Sequence, residues 1–416
     1  MSFEKIKLQE MLTFSNGKTS PDRVIAGEYV VYGANGTIGL TDEKNAPQNT
    51  IVIGRVGSYC GAVHFSKDEC WVTDNAIKAN VKNHTNPYYA YHLLSYLDLN
   101  RYRVGSGQPL INQSILNSIE VPNIDLNQQN KISYILKKLD KKIDLLNEIN
   151  QTLESIAQAI FKSWFVDFDP VHAKQQGIEC AGIDKTSADL FPSSFVESEL
   201  GLIPKGWEVK AIGECLQVVD FVANGSFAAL KENVTLFREP NYALYVRTTD
   251  YNSNFNGDFR FVDERAYRFL SKSFLVGDET IISNVGDVGT VFRAPKWLGY
   301  LMTLGSNAVA LKNKEMPTYV YYFFKSNKGQ HLIQSIITGS AQLKFNKTSL
   351  RSKSILIPSK STLDCFENIT SAITEKMDTN QNGIKLLQNI RDTLLPRLIS
   401  GKLDLSNIAE QIEGVA

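Results

Sequence analysis

Ile53-Gly54-Arg55-Val56-Gly57-Ser58-Tyr59-Cys60-Gly61 and Ile282-Ser283-Asn284-Val285-Gly286-Asp287-Val288-Gly289 share one pattern, an apolar lead-in followed by a central glycine, far apart in a single chain. They belong to a longer series. Upstream, Phe3-Glu4-Lys5-Ile6-Lys7-Leu8-Gln9-Glu10 aligns with Trp207-Glu208-Val209-Lys210-Ala211-Ile212-Gly213-Glu214. Downstream, Asn75-Ala76-Ile77 aligns with Asn307-Ala308-Val309, and Gly105-Ser106-Gly107-Gln108-Pro109-Leu110-Ile111-Asn112 with Gly339-Ser340-Ala341-Gln342-Leu343-Lys344-Phe345-Asn346. Each copy closes on an apolar strand ending in proline, Ile119-Glu120-Val121-Pro122 and Ile355-Leu356-Ile357-Pro358. The order is kept while the offset grows, which is the mark of an internal duplication.

Within each copy, Thr50-Ile51-Val52-Ile53 and Thr280-Ile281-Ile282-Ser283 are β-branched runs near glycines and read as strand-turn-strand hairpins. Pro87 and Pro317 each precede an aromatic stretch, as a proline does in the first turn of a helix. After the terminal proline the period changes. Ile132, Leu139, Leu146, Leu153 and Ile160 recur every seventh residue, with Leu136, Ile143, Asn150, Ala157 and Trp164 four after each. That seam predicts a long helix packing lengthwise on another. From Leu126 to Phe165 it would span roughly 60 Å. The second copy repeats the stripe with Ile373, Met377, Ile384, Leu387, Leu394 and Leu398, interrupted by Asn380 and Arg391. Gly383 predicts a weak point and Pro396 a kink in the last turn. Two such helices pack most simply as an antiparallel pair, with Asn150 either setting register or facing solvent.

The expected class is α+β: two tandem α/β globules, each followed by a long helix, with the helices forming an antiparallel coiled coil of pseudo-two-fold symmetry. The predicted boundaries are a first globule at 1–125, a central helix at 126–168 and an irregular connector at 169–206. A second globule at 207–361, a distal helix at 362–402 and a tail at 403–416 follow. At 416 residues the chain has room for two to four domains. With 43% hydrophobic and 21% charged residues, no apolar run of membrane length and no secretory leader pattern at Met1-Ser2-Phe3-Glu4-Lys5, a cytoplasmic protein is expected. The five cysteines are scattered and without CxxC, which argues against a zinc site or disulfide framework.

Formal net charge is zero, from 44 basic and 44 acidic residues. The total hides an asymmetry: Met1–Asp125 carries 11 Lys and Arg against 12 Asp and Glu, whereas Trp207–Lys360 carries 19 against 13. Any nucleic-acid partner must therefore be gripped by clustered groups or with help from another protein. No phosphate-binding glycine loop, HExxH or histidine spacing suited to a metal occurs. Asn86-Pro87-Tyr88-Tyr89 is close to the Asn-Pro-Pro-Tyr signature of amino-methyltransferases but lacks the second proline, and the other copy has Met316-Pro317-Thr318-Tyr319 in the same slot. The paired acids Asp68-Glu69 and Asp278-Glu279 read as solvated turn residues rather than a nuclease centre.

Three further segments are diagnostic. Ala159-Ile160-Phe161-Lys162-Ser163-Trp164-Phe165-Val166-Asp167-Phe168-Asp169-Pro170 resembles the end of the central conserved helix in specificity subunits of Type I restriction-modification systems. Glu197-Ser198-Glu199-Leu200-Gly201-Leu202-Ile203-Pro204-Lys205-Gly206-Trp207 resembles their entry into the second target-recognition domain, and Leu394–Leu403 the end of their distal helix. The resemblance implies a non-catalytic subunit whose two globules each read half of a split double-stranded DNA site. Two methyltransferase subunits carrying S-adenosylmethionine would modify an adenine in each half, and motor-nuclease subunits would cleave unmodified DNA. The chain itself would hold no cofactor and no metal. The alternative is a stand-alone DNA-binding scaffold.

Base edges are read by Arg, Lys, Asn and Gln above all, so polar residues on the turns of the repeat are the candidates. They are Arg55, Ser58, Arg101, Arg103, Gln108 and Asn112 in the first copy, and Asn284, Asp287, Arg293, Gln342, Lys344, Asn346 and Lys347 in the second. Trp164, Phe165, Phe168, Leu394 and Leu398 are candidates for contact with partner subunits, or for closing the helical core.

Overall fold

The structure is a computed structural model and describes residues 4–105, 109–339 and 342–400. Two compact units emerge, and they do not follow the order of the chain. One combines the residues up to Leu145 with those from Gly383 onward, and the other is Leu146–Asn382. The boundary falls inside both long helices. The central helix spans Leu126–Phe165 and the distal helix Lys360–Ile399, each of 40 residues. The distal helix runs on through Gly383 and Pro396.

In the first unit an antiparallel sheet has the order Leu12–Asn16, Ala76–Val81, Thr50–Gly54, Val63–Ser66. Beside it stands a smaller sheet of Gly36–Thr41, Tyr29–Gly33 and Cys70–Val72, the last pair parallel. Strand Lys5–Lys7 pairs with Glu120–Pro122 and so brings the two ends of the globule together. The second unit repeats the plan with Gln217–Asp220, Ala308–Lys312, Thr280–Ser283 and Val291–Arg293, closed by Glu208–Ala211 on Ser354–Ile357. Its smaller sheet has four strands, with Ala243–Val246 parallel to Leu301–Leu304. Even the shared glutamates agree: Glu10 accepts from the Lys7 amide at 2.8 Å and Glu214 from the Ala211 amide at 3.3 Å.

Neither globule closes its own core. In the first unit, Leu8, Ile53, Leu93 and Val121 share one buried cluster with Ile132 and Leu136 of the central helix and Leu395 and Leu398 of the distal helix. In the second, Ile282, Tyr319 and Ile355 share theirs with Phe161, Trp164 and Phe165 of the central helix and Leu363 and Phe366 of the distal one. The helices run antiparallel within each unit, and the interruptions of the distal stripe are paired. Arg391 Nη1 lies 3.0 Å from Asp140 in the first unit. In the second, the amide nitrogen of Asn380 donates to Asn150 Oδ1 at 2.8 Å, and Asn150 donates to the Met377 carbonyl at 3.2 Å. Asn150 therefore takes the register-setting reading.

Two expectations change. The connector is ordered: helix Asp169–Gln176, a helical turn at Lys185–Asp189 and hairpin Phe195–Ser198 with Gly201–Pro204. Its Val171, Phe191 and Ile203 are buried in the second unit's core, where apolar burial outweighs the turn-forming composition that suggested an irregular link. The residues weighed as partner contacts are also interior. Trp164, Phe165, Phe168 and Leu398 are buried and Leu394 is half-buried. The aromatic run is drawn inward because Phe165 meets Phe366 and Tyr319 edge-on at 4.9 and 5.0 Å, and Trp164 meets Phe191 at 5.1 Å.

Asp140 is the hub of the first unit's helix contact. It receives Tyr88 Oη, Arg391 at 3.0 Å and His92 Nε2 at 3.1 Å. Burial pushes its pKa up, but the bonds from His92, Tyr88 and Arg391 outweigh that and hold it at about 2, below the ordinary 3.8. A depressed carboxylate stabilises the fold above its unfolded pKa, and that contribution is lost as pH falls through the folded value. The thermal stability of the first unit should accordingly fall as the pH drops from about 4 to about 2. Asp140→Asn should cost on the order of 2 kcal/mol at neutral pH and flatten that acid limb. An acid limb identical in the variant would assign the effect to another carboxylate.

Candidate nucleic-acid interface

The turn after strand Thr50–Gly54 is closed by Gly54 N to Ala62 O and Gly61 N to Gly54 O, both 2.8 Å. The turn after Thr280–Ser283 is closed the same way, Ser283 N to Thr290 O at 2.9 Å and Gly289 N to Ser283 O at 3.0 Å. At the apex Gly57 has φ +69° and Gly286 φ +81°, the left-handed region in which a Cβ is penalised. These apices explain the shared glycine that first exposed the repeat.

Each turn is bound to a second loop. In the first unit Val104 and Leu110 exchange backbone hydrogen bonds of 2.9 Å, Gly57 N donates to Pro109 O, and Ile111 N donates to Arg55 O. In the second unit Thr338 and Lys344 make the same exchange, Gly286 N donates to Leu343 O, and Phe345 N donates to Asn284 O. The fold therefore brings together the two sequence-distant parts of each candidate set, on a backbone common to both copies.

The side chains divide into groups. Ser58, Arg101 and Arg103 are exposed in the first unit, with Arg55 half-buried. Arg101 lies against the Tyr102 ring at 5.0 Å, and Tyr59 is half-exposed next to Ser58. In the second unit Asp287, Gln342 and Lys344 are exposed. Asp287 is held by Asn252 Nδ2 at 3.1 Å and Thr290 Oγ1 at 2.9 Å. Gln108 lies outside the described residues.

Asn112 and Asn346 are helix caps, accepting from the amides of Ile115 at 2.9 Å and Ser349 at 2.8 Å. Their recurrence follows from capping, since asparagine satisfies the otherwise unpaired amides of a first helical turn. Arg293 turns inward. Its guanidinium lies 4.3 Å from the Tyr321 ring and donates to Thr374 Oγ1 at 2.9 Å, because its strand packs against the aromatic helix Pro317–Lys325. Lys347 is spent on an internal ion pair with Asp220 at 2.7 Å. Asn284 is half-buried.

The near-match at Pro87 resolves as a helix start. Asn86 Oδ1 accepts from the Tyr88 and Tyr89 amides at 3.0 Å and from Ser133 Oγ at 2.7 Å, which leaves it committed to the protein itself. In the second unit Glu367 does the corresponding work, accepting from the Thr318 amide at 3.2 Å and the Tyr319 amide at 2.8 Å. Sequence reading missed the Tyr88, His92, Asp140 and Arg391 cluster. Its only signal was a charge on the apolar stripe at Arg391.

The family model for the Type I restriction modification DNA specificity domain matches residues 2–155 and 204–395, the two copies described above. The chain belongs to this family. Among its relatives, the Type I restriction enzyme HindI specificity subunit of Haemophilus influenzae is 28% identical over 332 residues, 69% of either chain. The Type I restriction enzyme MjaIX specificity subunit of Methanocaldococcus jannaschii is 26% identical over 334 residues, 77% of this chain and 70% of that one. The crystal structure of a Type I restriction-modification system S subunit from M. genitalium has the same fold, with a TM-score of 0.56 at 18% identity over 96% of each chain. The family that the sequence resembles is thus the one whose model the chain matches. Among the described residues, no helix of this DNA specificity protein is long and apolar enough to cross a membrane.

Alanine at either apex has open space for its Cβ but would be forced into the left-handed region. Gly57→Ala and Gly286→Ala should each destabilise by about 1 to 2 kcal/mol, read as a lowered unfolding midpoint. Unchanged midpoints in both would mean that the turns do not require the positive φ.

Proposed function

We propose that this chain is the DNA-reading subunit of a Type I restriction-modification complex and that each globule recognises one half of a bipartite, gapped site. The observation that carries the reading is the duplicated pair of bonded loops. One backbone frame presents Ser58 and Arg103 in the first unit, and Asp287 and Lys344 in the second. A common frame bearing different polar groups is what two unlike half-sites require, because discrimination resides in the donors and acceptors offered to base edges.

The chain performs no chemistry in this reading. Methyltransferase partners bind S-adenosylmethionine and modify adenine, motor-nuclease partners cut unmodified DNA, and the complex works in the cytoplasm. The near-neutral first globule fits a subunit whose grip on phosphates is supplied largely by those partners. The names of the relatives favour this over a stand-alone scaffold.

Long-read methylation mapping with and without the gene tests the reading. Loss of one split adenine-methylation motif is expected on deletion, and a methylome that does not change in an otherwise active system refutes it. Exchanging residues 207–360 for those of another family member should alter only one half of the motif, measured on the same maps.

A further inference from the structure

Residues common to both copies cannot explain how the two half-sites differ, so the discriminating surface lies where the copies diverge. They diverge most between the first strand and the turn. The first unit has a bulged hairpin there, Tyr29–Gly33 with Gly36–Thr41, whereas the second has helices Phe227–Asn233 and Thr248–Asn252 on either side of its strand Ala243–Val246. Beside the Gly57 turn the first unit has an open recess of about 380 Å³, lined by the apolar Ile38, Val56 and Tyr59 together with Arg23, Asn35 and Thr73. In the second unit Asn252, from an inserted helix, instead reaches the turn and bonds Asp287.

Thr73, which also lines the recess, is 2% exposed and its hydroxyl has no hydrogen-bond partner, an arrangement that costs free energy. At the rim, Arg23 Nη1 donates to the Ile38 carbonyl at 3.2 Å, which fixes the guanidinium, and Asn35 and Asn75 are exposed. Half-exposed Tyr59 adds an aromatic surface. Guanidinium and amide donors at the rim of a mainly apolar concavity, beside an aromatic ring, match the edge of a nucleobase better than a phosphate, which needs no recess.

We propose that this recess is the base-discriminating site of the first globule, taking a base edge of its half-site against Arg23 and Asn35. The assignment rests on the DNA-reading function proposed above. The test maps methylation in cells carrying Asn35→Ala, Arg23→Ala or a gene deletion, with the methyltransferase partners present. The alanine variants should keep one half of the motif and the gap while the other half relaxes at one or two positions, mismatched sites gaining roughly tenfold. An unchanged motif overturns the proposal. So does uniformly weaker methylation of an unchanged motif in a protein of normal thermal stability, which marks a phosphate contact. If the alanine variants lose stability, Asn35→Asp must shift or relax the same position, and its failure to do so is equally decisive. Stabilisation by free nucleosides with an unchanged motif would mark a small-molecule pocket and also overturn it. A deletion without effect on the methylome removes the DNA-reading function itself, an outcome separate from all of these.

Discussion

A long helix with one apolar stripe has nowhere to put that stripe in water, and each globule has an open core with no lid. The two deficits are met by each other. In each unit the globule's apolar residues continue without a break into the long helices. This shared burial explains why the globules do not separate cleanly from the helices, although the sequence parses as globule, helix, globule, helix.

Apolar burial is tolerant of sliding, so register comes from the polar pairs. A seam of leucines and isoleucines would accept a shift of one heptad at modest cost, whereas a buried amide or charge moved away from its partner loses a hydrogen bond in a place water cannot restore. Asn150 with Asn380 does this in the second unit, and Asp140 with Arg391 in the first. The same contacts tie recognition to scaffold, since Asp140 also holds Tyr88 and His92 of the globular helix. Displacement along the helix would therefore be felt in the sheet that carries the Gly57 turn.

Much of this was legible in sequence wherever the signal was periodic or repeated. The heptads from Ile132 to Trp164 marked out the central helix, and the collinear glycines marked out both turns. What could not be read was anything that depends on which strangers meet. Asn380 and Arg391 look like defects until the antiparallel register places Asn150 and Asp140 opposite them. Arg293 and Lys347 read as free cations because their partners, the Tyr321 ring and Asp220, lie far away in sequence. The connector was misjudged through composition, since prolines and serines say nothing of Val171, Phe191 and Ile203 packing inward. Shared residues also mislead in a particular way. Asn112 and Asn346 recur because a helix needs a cap, so recurrence reports on the frame, while discrimination belongs to what is not shared.

The discontinuous make-up of the first unit has a consequence for how the chain is born. Leu146–Asn382 is contiguous and can close as soon as it has emerged from the ribosome. The first globule is translated earlier but must wait for Leu395 and Leu398 to cover its core. At elongation speeds of about 5–20 residues per second, that interval lasts on the order of tens of seconds. The half that is made first is completed last, and through that time its uncovered apolar face depends on whatever else in the cell will shelter it.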